Sequence, residues 1–113
     1  MARSTEQVFQ DHVGAFIRND LQGVTADYAD DPVVITMEGV SVGKAAIRDF
    51  FANVLSMPNL RLSSTGEKVH GDFLLCTWTG ESDVARFPNG VETFVIRDDK
   101  IRLQTVWFTA VPK

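Results

Sequence analysis

One cysteine among 113 residues excludes an internal disulfide and a thiolate-rich zinc site. Cys76 falls in the apolar run Phe73-Leu-Leu-Cys-Thr-Trp78, where it reads as a small buried hydrophobe rather than a reactive thiol. Basic residues are few and scattered: eleven Lys and Arg stand against fifteen Asp and Glu, a formal charge of −4. Binding to a phosphate backbone depends on clustered cations, so no nucleic-acid partner is expected. No apolar run approaches the roughly 20 residues that a membrane span needs. The opening Met-Ala-Arg-Ser-Thr-Glu has neither an apolar signal core nor a cleavage pattern. The expectation is a cytoplasmic protein without a membrane partner. Repeats, linkers and low-complexity segments are also missing, which leaves one domain over residues 1–113.

What is present is enough apolar residue, 44 %, to fill a core without staples. The clearest pattern lies between Gly39 and Leu55. Ala46, Ile47, Phe50, Phe51, Val54 and Leu55 form one stripe of period 3.6, with Lys44, Arg48, Asp49 and Asn53 opposite. Two adjacent phenylalanines widen the stripe, so this helix needs a broad surface to lie on.

Earlier in the chain, Ser4 and Gln7 have capping-box spacing and open a helix to about Asn19. Its inward face is Phe9, His12, Val13, Phe16 and Ile17. Asn19-Asp20 caps a second helix, Leu21 to Tyr28, which Asp30-Asp31-Pro32 ends. The acidic cluster Asp27, Asp30 and Asp31 reads as a solvated loop. Val33 to Glu38 is a strand, with Val34, Thr36 and Glu38 on one face, and a very short strand follows Gly39.

Four longer strands are expected at about 59–69, 72–86, 91–97 and 101–111. His70-Gly71, Phe87-Pro-Asn-Gly90 and Arg97-Asp-Asp-Lys100 mark the turns. The last two strands are apolar on both faces, which predicts a second cover and hence a sheet-to-sheet homodimer. Their register has two solutions. A turn on Asp98-Asp99 alone places Leu103 and Trp107 toward the helices; a turn that includes Lys100 places Gln104, Val106 and Phe108 there.

The element order, Asp20-Leu-Gln-Gly-Val-Thr-Ala-Asp-Tyr-Ala-Asp-Asp31, Gly43-Lys-Ala-Ala-Ile-Arg-Asp-Phe-Phe51 and, more weakly, Phe94-Val-Ile-Arg-Asp-Asp-Lys-Ile101 resemble the nuclear transport factor 2-like superfamily. That group includes ketosteroid isomerases and SnoaL-like polyketide cyclases. The resemblance implies an α+β fold, a cone-shaped curved antiparallel sheet wrapped around three helices (cystatin-like). It also favours the register with Gln104, Val106 and Phe108 inward.

In ketosteroid isomerases a tyrosine and a neutral carboxylic acid share an oxyanion hole, and an aspartate shuttles the proton. Laid on this chain, the tyrosine becomes His12, the neutral acid Glu92, and the aspartate Thr36. Glu38, on the face of Thr36, could replace the missing base. The final strand lacks the cyclases' aspartate. These departures argue against steroid isomerisation.

The resemblance implies a small apolar ligand and no metal or cofactor. His12 and Glu92 are then the candidate catalytic residues. Phe16, Tyr28, Thr36, Glu38, Phe51, Val54, Phe94, Gln104, Val106 and Phe108 are the candidate substrate contacts. A His12–Glu92 pair, extended by Tyr28, would satisfy two polar groups that an apolar interior otherwise penalises. The plainer readings are a core histidine, a rim glutamate and a core tyrosine. Trp78 and Trp107 either stack a planar ligand or serve core and dimer contacts. The expected activity is isomerase, cyclase or dehydratase chemistry by proton transfer. A ligand carrier or a packed-shut assembly module is the alternative.

Overall fold

A computed structural model describes residues 2–113. The elements are α1 (Thr5–Ile17), α2 (Leu21–Ala26), β1 (Tyr28–Thr36), β2 (Gly39–Val42), α3 (Lys44–Leu55), β3 (Arg61–His70), β4 (Phe73–Glu81), β5 (Ala85–Arg97) and β6 (Lys100–Pro112). The strands form one curved, unclosed sheet in the order β2-β1-β6-β5-β4-β3. Every pairing is antiparallel except that of β1 with β6, which is parallel. The α+β cone is therefore the fold.

The helices start where side chains satisfy their first amides. Ser4 Oγ accepts from the Gln7 N–H at 3.1 Å, and Asp20 Oδ1 accepts from the Gly23 N–H at 3.0 Å. Gln7 does not complete the capping box; its amide donates to Asp11 instead. From α1, Val8, Phe9 and Ala15 are buried with Val24 of α2 and Ile47 and Phe51 of α3. They pack with Leu74, Phe94, Ile96 and Ile101 of the sheet.

Arg3 fastens the start of the chain over this core. Its side chain reaches Asp11 on α1, Asp27 after α2 and Asp99 in the β5–β6 turn, at 2.9, 2.9 and 2.7 Å. Asp27 is buried, so part of the expected solvated acidic loop is an ion-pair site.

Three boundaries differ from expectation. The second helix stops at Ala26, and Tyr28 begins β1 rather than completing a helical stripe. Pro32 lies inside that strand, where its carbonyl accepts from the Gly43 N–H. Phe87-Pro-Asn-Gly90 is strand, not turn. Opposite β6 it holds one extra residue, between the pairs Arg86–Val111 and Asn89–Thr109, and a bulge is where a strand accommodates proline. The actual turn is Ser82-Asp83-Val84. Ser82 Oγ accepts from the N–H groups of Val84 and Ala85 at 3.2 and 3.1 Å, a local substitute for ladder bonds.

The final hairpin combines both anticipated registers. Asp98 and Asp99, at φ 53° and 68°, turn alone, and Arg97 pairs with Lys100. Positive φ at both central residues is the two-residue hairpin geometry. Beyond it, Ile96 faces Ile101 but Val95 faces Leu103, so Arg102 is an extra residue. That bulge returns Gln104 and Val106 to the helix side, opposite Phe94 and Glu92.

Candidate functional site

Because directly paired residues share a face, the ladder sorts the concave side into three rows. Nearest the core are Leu74, Phe94, Gln104 and Val34. Next are Cys76, Glu92, Val106 and Thr36. Outermost are Trp78, Gly90 and Phe108. Above the rows lie His12 and Phe16 of α1 and Phe51 and Val54 of α3. Between helices and rows is a cavity of about 600 Å³, within the range of small-molecule sites.

His12, Phe16, Phe51, Val54, Glu92, Val106 and Phe108 line this space. Tyr28, Phe94 and Gln104 are buried behind the lining. Thr36 stays on the inner face but outside the cavity lining, and its Oγ1 accepts from the Glu38 N–H at 3.1 Å. Glu38 itself is exposed in the β1–β2 turn and does not line the cavity. It lies beyond the end of β1, in the turn to β2, and stands apart from the cavity wall.

The polar groups join differently from the anticipated pair. The Tyr28 hydroxyl donates to Gln104 Oε1, and Gln104 Nε2 donates to Glu92 Oε1 at 2.9 Å. Both ends of the Gln104 amide are used, which fixes its orientation. Glu92 is thus held by a neutral amide, and no hydrogen bond joins it to His12 among the described residues. Burial pushes the Glu92 carboxyl up to about 7, against the Gln104 bond, which favours the charged form. Near neutral pH it both holds and releases a proton.

His12 is packed edge-on among Phe16, Tyr28, Phe51 and Phe94, with ring centres 5.4–6.0 Å away. Burial pushes its imidazole down to about 4, opposed by the backbone of Val24. It is neutral at pH 7, and Glu92 is not among the groups that shift it. Tyr28 is raised well above the usual phenol range by burial and then by the charges of Glu92 and Asp27.

Cys76 and Trp78 also line the cavity; the sequence left Trp78 between ligand stacking and core packing and gave Cys76 only a core role. The signal is there, since Cys76 and Trp78 share a strand face by their spacing of two. Burial raises the Cys76 thiol to about 12, helped by Glu92 and Glu67, so it is an inert wall. Met57 to Ser64, legible in the sequence only as helix stop and strand, supply much of the remaining wall. No cluster of metal-ligating side chains occurs among the described residues, and none of their helices is long and apolar enough to cross a membrane.

Comparison with solved structures gives the same architecture. A candidate ketosteroid isomerase from Kribbella flavida DSM 17836 superposes with a TM-score of 0.81 at 14 % identity, covering 96 % of this chain and 80 % of that one. A candidate polyketide cyclase from Sinorhizobium meliloti gives 0.81 at 18 %, covering 88 % and 93 %. TerC, co-crystallised with polyporic acid, gives 0.80 at 20 %, covering 93 % and 91 %. Such identities speak for the fold alone. Curated proteins provide no match. The family model of the SnoaL-like domain matches residues 9–104, nearly the whole of the described fold, and the chain belongs to that family.

Proposed function

We propose that the protein is a small-molecule enzyme of acid/base type, an isomerase, cyclase or dehydratase, with Glu92 as its proton-transfer group. One observation carries the reading: a carboxyl that burial pushes up to about 7 faces an apolar cavity of about 600 Å³. A general acid or base works best when its pKa lies near the working pH. The Gln104 bond holds Glu92 in place, and Tyr28 in turn holds Gln104. His12, neutral and enclosed by aromatic rings, serves as a hydrogen-bonding wall rather than as a shuttle. The chain needs no cofactor for proton transfer of this kind. The solution form is a homodimer whose contact is the outer face of the sheet.

The test is exchange of the protons α to the carbonyl of a tetralone in deuterated water, followed by NMR. The protein should accelerate exchange, with a rate that rises through pH 7 as Glu92 becomes a carboxylate. Glu92→Gln should abolish the acceleration. The ligand-carrier reading is favoured by one feature, a threonine where the resemblance places the shuttling aspartate. Tetralone binding without any exchange would select it.

A further inference from the structure

Arg3 commits every nitrogen it has to three aspartates. Its Nη1 donates to Asp11 and Asp27 at 2.9 Å, its Nε to the Asp99 carboxylate at 2.7 Å, and its Nη2 to the Asp99 carbonyl at 3.0 Å. The Arg3 backbone N–H adds a bond to the same Asp99 carboxylate at 2.9 Å. Asp27 is the residue before β1, and Asp99 the residue before β6. One side chain thus grips the first ends of the two strands that pair in parallel.

Those strands are weakly fixed by their own ladder. After the pair Tyr28–Ile101 the next is Val33–Leu103, with four residues of β1 in between against one of β6. Pro32, within that stretch, has no N–H to donate. Tyr28 lies on one side of the break, and Gln104, paired with Val34, on the other. The bond from the Tyr28 hydroxyl to Gln104 therefore spans the break. On the Tyr28 side the Ile101 N–H donates to the Asp27 carbonyl at 2.8 Å, and Lys100 Nζ to the Ala26 carbonyl at 3.0 Å. Arg3 adds the side-chain grip at that end. Its donors are spread over a planar fork that lysine does not have.

We propose that Arg3 is a positioning residue of the site: by binding Asp27 and Asp99 it holds the starts of β1 and β6 together, and with them the Tyr28–Gln104 contact that aims the amide at Glu92. This rests on the reading of Glu92 as the proton-transfer group and adds what keeps its partner in place. The Gln104 bond favours the charged carboxylate. When β1 shifts against β6, Tyr28 releases Gln104, and the carboxylate loses its donor. The ionisable side chains that line the cavity with Glu92 are His12 of α1, Cys76 of β4 and Arg61 of β3. None of them hydrogen-bonds to it among the described residues; burial and Gln104 set its proton affinity.

The experiment follows the Glu92 carboxyl by carbon NMR across pH, its resonance assigned by its loss in Glu92→Gln. Arg3→Lys keeps the charge and breaks the fork. It should raise the Glu92 midpoint by about one unit, the worth of a hydrogen bond to a charged group. Tyr28→Phe, which removes only the hydroxyl, should raise it similarly. Arg3→Lys in the Tyr28→Phe background should add nothing, because the contact through which it acts is already gone.

Loss of urea stability in Arg3→Lys with the Glu92 midpoint unmoved makes Arg3 a strut of the fold only, and overturns the proposal. Shifts that add in the double variant overturn it too, since Arg3 would then reach Glu92 by another route. Failure of the acid/base reading looks different. The expected midpoint shifts in a protein that does not accelerate tetralone exchange leave the clamp standing and remove that reading. Accelerated exchange with a midpoint indifferent to Arg3 does the reverse.

Discussion

Glu92 and Thr93 are adjacent on β5 and live in different solvents. Glu92 points to the concave side, where burial raises its carboxyl to about 7. Thr93 points outward, and its hydroxyl hydrogen-bonds that of Thr105 across an exposed pair. The same alternation runs through β4, where Leu74 is 2 % exposed and Leu75 43 %. One residue step along a strand separates a buried carboxyl on the cavity wall from an exposed hydroxyl on the outer face. The proposed chemistry and the proposed association therefore fall on alternate residues of the same strands.

The largest expected effect comes from the inner side. Glu92→Gln keeps size and the bond to Gln104 but cannot exchange a proton. It should lower α-proton exchange by roughly 10²–10⁴-fold, the usual worth of a general acid or base, while leaving calorimetric binding of tetralone in place. The same substitution at Glu67, exposed on β3, should leave the rate unchanged. Equal losses at both positions would erase the contrast.

Packing offers the next test. Leu74→Ala empties space in the core and should cost about 2–5 kcal/mol in urea unfolding. Leu75→Ala should cost less than about 1 kcal/mol in the monomer, because little is buried there.

The outer face supplies the third. Ile35, Phe73, Leu75 and Trp107 are 40–58 % exposed, and this many large apolar residues on one sheet face is more than a monomer usually shows. Trp107→Glu should leave circular dichroism unchanged and convert the dimer to a monomer in sedimentation. A native protein that sediments as a monomer at micromolar concentration removes the dimer outright.

The sequence carried the fold further than it carried the site. The stripe from Ala46 to Leu55 and the Ser4 cap are local patterns, legible because helix period and capping act within a few residues. His12 and Glu92 could be placed inward for the same reason. Their separation could not, because it depends on how α1 lies over the sheet, which no local pattern encodes. Gln104 shows the gap most clearly. As a cavity residue it was one choice of two registers; as the amide that holds Glu92 it needs the ladder pair with Phe94. Phe87-Pro-Asn-Gly90 misled for a related reason, since its composition signals a turn while its neighbours hold it in a bulged strand.

The smallest expected signal is a cancellation between two inner groups. Burial moves Glu92 from 4.5 up to about 7 and His12 from 6.5 down to about 4. As pH climbs from about 4.5 to about 7, the unfolded chain releases the Glu92 proton while the fold keeps it. That group therefore lowers stability as pH rises. Between about 4 and 6.5 the unfolded chain holds a proton on His12 that the fold refuses, so this group raises stability as pH rises. Each slope is at most about 1.4 kcal/mol per pH unit, and solvent reaching Glu92 reduces its share. Asp11, Glu81 and Asp99, held below the usual carboxylate range by Arg3 or Lys113, add a background common to every variant: stability lost as pH falls. Relative to the native protein, Glu92→Gln should therefore gain stability as pH rises through this window, and His12→Phe should lose it. Urea midpoints measured across the window decide it: three parallel curves would mean that neither group titrates as its burial demands.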